Sequence, residues 1–162
     1  MLIAIISDIH DNLVNLTKCL NWCNANKIKT IICCGDITNE DTLNYLSKNF
    51  KNQIHIVKGN VELYREKHLT ELKNINYYGR IGHLKLNSKT IGFCHEPFLF
   101  DKVLEKKCDI VFYGHTHKPW IESYNNIETV NPGDLSGTWN KATFATYDVA
   151  KNKLNLKLLE NI

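Results

Sequence analysis

The sequence predicts an α/β fold in which two sheets are flanked by helices. Three observations carry this: a β-α-β-α-β alternation through Val57, a series of strand patterns after it, and polar residues collected at the ends of buried apolar runs. Leu2–Ile6 is continuously apolar, the pattern of a strand covered on both faces. Asn12 then serves as N-cap to a helix in which Leu13, Leu16, Leu20 and Cys23 recur at helical spacing. Residues 30–34 form a second buried strand, with adjacent Cys33 and Cys34 pointing to opposite faces. Asn39, followed by Glu40 and Asp41, opens a second helix lined by Leu43, Leu46 and Phe50, and its early acids suit the positive helix end. Ile54, Ile56 and Val57 mark a third strand. Such a series argues for parallel strands joined by right-handed crossovers.

The second half is richer in strand. Residues 76–80, 84–86 and 90–94 predict a meander, residues 97–106 one short helix, and residues 109–113 another buried strand. Residues 121–124, 127–130, 143–149 and 153–159 are further strands. In the last, Leu154, Leu156 and Leu158 alternate with Asn155 and Lys157, as in a half-exposed antiparallel strand. No repeat, linker or composition break interrupts the chain, so one domain over residues 1–162 is expected.

With 43% hydrophobic and 23% charged residues, the composition excludes low-complexity disorder, coiled coil and collagen. Twenty Lys and Arg against 17 acids leave +3 without a basic stripe, which argues against dedicated nucleic-acid binding. The first apolar run stops at Asp8, far short of the ~20 residues that span a bilayer. It also lacks the flanks of a signal peptide, so a cytoplasmic location without a membrane partner is expected. There the six Cys should be reduced, and their spacings hold no C-x-x-C pair, so they read as buried, inert thiols.

The candidate chemistry follows the buried strands. Their ends read Ser7-Asp8-Ile9-His10-Asp11-Asn12, Gly35-Asp36, Gly59-Asn60-Val61-Glu62, Cys94-His95-Glu96 and Gly114-His115-Thr116-His117. Ligands bind at the carboxyl ends of parallel strands in open α/β sheets. In extended chain, Asp8 with His10 and His115 with His117 would share a side. Gly35, Gly59 and Gly114 allow the backbone to turn sharply or approach closely. His55, His68 and His83 lack such placement and are expected to be structural or exposed. Trp120 either lines a ring-binding wall or sits at a strand edge.

The ordered set D-x-H, GD, GN, H and GHTH across residues 8–117, with Asn131-Pro132-Gly133 beyond it, resembles the calcineurin-like metallophosphoesterases, specifically their small bacterial and archaeal phosphodiesterase branch. The resemblance implies a β-sandwich flanked by helices, with two metals at the sheet edge. By position, Asp8, His10, Asp36 and His117 would hold one, and Asp36, Asn60, His95 and His115 the other, with Asp36 bridging. Mixed imidazole nitrogen and carboxylate or amide oxygen suits Mn²⁺, the preferred choice, or Fe²⁺, Ni²⁺ or Zn²⁺, rather than a Ca²⁺ cage. Two such ions against two carboxylates leave about +2, which attracts a phosphate ester. The implied reaction is hydrolysis of a small phosphate diester, a nucleotide among the candidates, by a hydroxide bridging the metals and without a covalent enzyme intermediate.

Asn12, at the start of the first helix, is a candidate phosphate contact. Three positions depart from the wider family. Val61 stands where many members carry a His that protonates the leaving group, although the small phosphodiesterase branch commonly lacks it. Glu62 keeps the following acid and reads as a hydrogen-bond partner behind the ligands, or as surface. Asp11 and Glu96 replace glycines; Asp11 either binds metal-bound water or, the favoured reading, faces solvent. Two other readings stay open: a protein-binding scaffold of the same fold, with the retromer subunit as precedent, and a broad-specificity phosphomonoesterase. A homo-oligomer is compatible with either.

Overall fold

The computed structural model describes residues 1–162. A six-stranded sheet has the order β11-β10-β1-β2-β3-β4 and a five-stranded sheet the order β5-β6-β7-β9-β8. The first contains β1 (Leu2–Ile6), β2 (Thr30–Cys33), β3 (Gln53–Ile56), β4 (Ile75–Tyr77), β10 (Thr143–Asp148) and β11 (Lys153–Leu158). The second contains β5 (Ile81–Leu86), β6 (Lys89–Cys94), β7 (Ile110–Phe112), β8 (Trp120–Tyr124) and β9 (Ile127–Asn131). Helices α1 (Leu13–Ala25), α2 (Glu40–Asn49), α3 (Glu66–Leu69) and α4 (Phe100–Val103) connect them.

The apolar run of β1 divides between two cores. Ala4 and Ile6 pack with Leu16 and Leu20 of α1 and Leu43 and Leu46 of α2, whereas Ile3 and Ile5 pack with Phe93, Phe112 and Val130 of the other sheet. Strand alternation sends neighbours to opposite faces, so only a strand covered on both sides is apolar throughout. Cys33 and Cys34 divide the same way, one to each core. A third cluster, with Leu99, Phe100 and Val103 against Cys94, Val111 and Tyr113, covers the outer face of the second sheet. The order of layers is therefore helix, sheet, sheet, short helix. All six cysteines are unpaired and buried, and burial pushes the Cys94 thiol up to about 12. No helix is long and apolar enough to cross a membrane.

The expected meander does not form. β4 adds to the first sheet, parallel to β3, while β5 and β6 make an antiparallel hairpin in the second. The three segments are adjacent in sequence, but Gly79 (φ 66°) and the turn around it carry the chain from one sheet to the other. The single helix expected over residues 97–106 is a 3₁₀ turn, Pro97–Leu99, followed by the one-turn α4. β6, β7 and β9 run parallel, so both sheets present strand carboxyl ends to one region.

Candidate metal centre

The ends of β1, β2, β3, β6 and β7 converge where the two sheets meet. Backbone bonds lace the loops together: Asp8 N–H donates to Gly35 O, Ile9 N–H to Asp36 O, and Gly114 N–H to His95 O. The side chains do not share a side by extended alternation, as the spacing suggested. Asp8, His10, Asp36, His115 and His117 lie beyond the strands in left-handed backbone, with φ of 55°, 44°, 56°, 69° and 58°. β1, β2 and β7 thus end in sharp turns that bring these side chains together. The turns need close backbone approach: a Cβ at Gly59 would overlap the Asp36 carboxylate, and one at Gly114 would overlap the Ser7 hydroxyl.

Two sets of ligand-type atoms result. His10 Nε2 stands 3.8 Å from Asp8 Oδ1 and 3.9 Å from Asp36 Oδ2, and His117 Nε2 stands 3.5 Å from Asp8 Oδ1. The two rings stack at 5.0 Å between centroids. In the other set, His95 Nε2 is 3.2 Å from Asp36 Oδ2, and both His95 Nε2 and His115 Nδ1 lie 2.8 Å from Asn60 Oδ1. Asp36 Oδ2 therefore faces both sets, while its Oδ1 accepts the Val61 N–H at 3.1 Å.

These residues fit divalent ions. His95 Nδ1 donates to Cys34 O at 2.7 Å, which turns Nε2 toward two oxygen acceptors. Such an atom needs either a proton or a cation, and a backbone-anchored imidazole is a typical metal ligand. His10 Nε2 is buried with no hydrogen-bond partner although two carboxylates flank it. Its separations are too long for hydrogen bonds, yet atoms bound to one ion at about 2.1 Å stand roughly 3–4 Å apart. Electrostatics point the same way. Burial raises the Asp8 carboxyl above its ordinary range, against the charges of His95 and His117. Burial also works to raise Asp36, but the hydrogen bond and charge of His95, the Val61 N–H and His10 outweigh it and hold that carboxyl low. His95 is raised, since Asp36 and Asp8 outweigh its desolvation.

The other singled-out residues have mostly structural surroundings. Asn12 caps α1 by accepting the Asn15 N–H, and its amide donates to Ser136 O, so its side chain ties the start of α1 to the loop after β9. Glu62 accepts backbone N–H groups of Ile37, Thr38 and Gly59, clamping the two loops that carry Asp36 and Asn60. Asp11 does not simply face solvent: it accepts from Asn39 N–H, the Asn39 amide and the Thr42 hydroxyl at the start of α2. Glu96 is buried and pairs with Arg80 at 3.0 Å. His55 bonds Tyr78, His68 bonds Asn44, and His83 bonds Val103 O. Trp120 lies on the edge strand β8 under Lys118, outside the cleft.

Two residues at the site were not legible in the sequence. Asp134, fully buried, receives N–H groups of Gly137, Thr138 and Trp139 and the Ser136 hydroxyl. Its Oδ2 faces His117 Nδ1 at 3.4 Å. Trp139 closes one side of a cleft of about 430 Å³, lined also by His10, Asp36, Asn60, Val61, His115, His117 and Thr138. The sequence around them offers only turn residues, which signal a loop and nothing of where it folds.

Comparison with known proteins supplies the family. Residues 1–152 match the calcineurin-like phosphoesterase superfamily domain. Phosphodiesterase MJ0936 of Methanocaldococcus jannaschii is 30% identical over 146 residues, covering 85% of this chain and 86% of that protein. A solved archaeal phosphodiesterase superposes with a TM-score of 0.87 at 24% identity, covering 98% of this chain and 99% of the other. Vps29 of Entamoeba histolytica, solved with zinc, superposes with a TM-score of 0.70 at 19% identity, covering 96% and 90%. The histidines and carboxylates at these strand ends thus sit in a chain that belongs to the calcineurin-like phosphoesterase superfamily.

Proposed function

We propose that this protein is a two-metal phosphodiesterase acting on small phosphate diesters. The observation that carries the reading is Asp36, whose Oδ2 faces the His10 set on one side and the His95 set on the other. Asp8, His10, Asp36 and His117 would hold one ion, and Asp36, Asn60, His95 and His115 the second. When bound, the ions supply Lewis-acid stabilisation of the phosphoryl oxygens and a nucleophile from water near neutral pH. The chain's own part is positional. The Cys34 carbonyl orients His95, Glu62 locks the Asp36 loop to the Asn60 loop, and the Val61 N–H holds Asp36 in place. Val61 offers the leaving group no proton, and a missing general acid costs ~10²–10⁴-fold, chiefly for poor leaving groups. Diesters with stable leaving anions are therefore the favoured substrates.

A protein-binding role draws on a separate feature, an apolar groove of about 370 Å³ between the edge strands β8 and β11, lined by Trp120, Ile121, Leu154 and Leu156. Hydrolysis separates the two readings. Bis(4-nitrophenyl) phosphate should be turned over with Mn²⁺, faster than 4-nitrophenyl phosphate, and not after chelation. Rates at the metal-free baseline for both esters would overturn the enzyme reading. Asp36→Asn and His117→Ala should each lower bound Mn²⁺ and abolish turnover; unchanged metal content by elemental analysis would overturn the ligand assignment.

A further inference from the structure

The cleft beside the ligand set is polar except on two sides. Its hydrophobic members are Val61 and Trp139, and Trp139 is 73% exposed, a costly position for the largest apolar side chain. The indole stands 6.2 Å from the His117 ring, at 78° to it. An exposed tryptophan on a loose loop would carry little meaning, but this loop is not loose. The Trp139 N–H donates to the buried Asp134 carboxylate at 3.2 Å, as do Thr138 at 3.1 Å and Gly137 at 3.2 Å. On the other side, the Asn140 amide donates to His117 O at 2.9 Å. The backbone is pinned through Trp139 and the two residues before it, and the Asn140 side chain ties the next residue to the His117 loop, so a ligand would meet a wall whose backbone is already in place and spend little on ordering it.

We propose that Trp139 is the specificity-determining wall of this site and selects phosphate esters whose alcohol carries a flat aromatic group. The inference rests on the phosphoesterase reading, which sets the phosphoryl group among the histidines. A ring attached to that phosphate then reaches the indole face, with Val61 as the apolar member elsewhere in the cleft. Removing an aromatic side chain on which a ring stacks typically weakens binding by roughly 5–150-fold, and the effect is tolerant of which ring it is. A nucleobase and a simple aryl ring are therefore the two sources to distinguish.

The test is calorimetric titration of the Mn²⁺-loaded protein with adenosine 5′-monophosphate against ribose 5-phosphate, and phenyl phosphate against methyl phosphate. Each pair shares its phosphate and differs in the ring. The native protein should favour the ring-bearing member about tenfold, a difference that Trp139→Ala removes and Trp139→Phe largely keeps. A preference within the adenosine pair alone identifies a nucleobase site, and one within both pairs a site for any flat ring. Equal affinity within both pairs, or a preference that survives Trp139→Ala, overturns the proposal. Bis(4-nitrophenyl) phosphate hydrolysis, run alongside, keeps the two readings apart. Turnover with no ring preference removes only the role of Trp139, and no turnover with no binding of either phosphate removes both.

Discussion

Asp8, His10, Asp36, His115 and His117 occupy left-handed backbone that L-residues uncommonly adopt, Asp and His more readily than most. Each such position costs of order 1–3 kcal/mol and persists only where the surroundings over-determine it. Here the surroundings are the interloop hydrogen bonds and the lack of a Cβ at Gly59 and Gly114, whose backbones lie against the Asp36 and Ser7 side chains. Asp134 belongs to the same frame. It is buried behind His117 and joined to the Trp139 loop, and with His117 as the proposed ligand it would be a positioning residue. Carboxylates that stand behind a ligating histidine typically contribute 10–100-fold to metal affinity. Asp134→Asn should therefore weaken Mn²⁺ binding by about 10–100-fold while the circular dichroism spectrum is kept. Native affinity in that variant, read by metal titration, would show that Asp134 holds only its loop.

At the scale of elements, helix starts tie the loops together. α1 is capped by its own Asn12, but the Asn39 side chain makes no cap bond to α2. Asp11, from the loop after β1, takes that role by accepting the Asn39 N–H and the Thr42 hydroxyl. A carboxylate suits the positive end of a helix, and the bond fastens the loop carrying Asp8 and His10 to the element after Asp36. Losing a cap costs ~1 kcal/mol, so Asp11→Ala should lower the melting temperature by about 2–4 °C. An unchanged melting temperature would mean that water replaces Asp11 without loss. The sequence shows α1 and its cap because the signal is local, whereas the cap of α2 lies 28 positions away from Asn39.

At the scale of the whole molecule, stability should respond to acid through His55, a buried residue of β3 whose Nδ1 lies 2.9 Å from the Tyr78 hydroxyl. Burial lowers its pKa. The unfolded chain takes up that proton near pH 6.5, and the folded chain only at lower pH. Between the two values the unfolded state binds more protons, so stability rises with pH. The contribution is complete above the unfolded value and is lost as pH falls through the folded one. Metal-free protein should thus melt at lower temperature below about pH 6.5, with a shallower decline in His55→Gln. Parallel declines in the two proteins would assign the acid sensitivity to other groups.

The sequence by itself determined which segments are buried strands, where α1 begins, and the identity and order of the histidines and carboxylates at the strand ends. Each of these is a local pattern, an apolar run and the polar residues that stop it, readable within a few positions. Only the tertiary structure decided that β4 leaves β5 and β6 for the other sheet, that five ligand-type residues turn left-handed, that Asp134 stands behind His117, and that Trp139 lines the cleft. The physical reason is distance along the chain. His115 N–H reaches Asp8 across 107 positions and Asn12 reaches Ser136 across 124, and no periodicity in the sequence encodes contacts between segments so far apart.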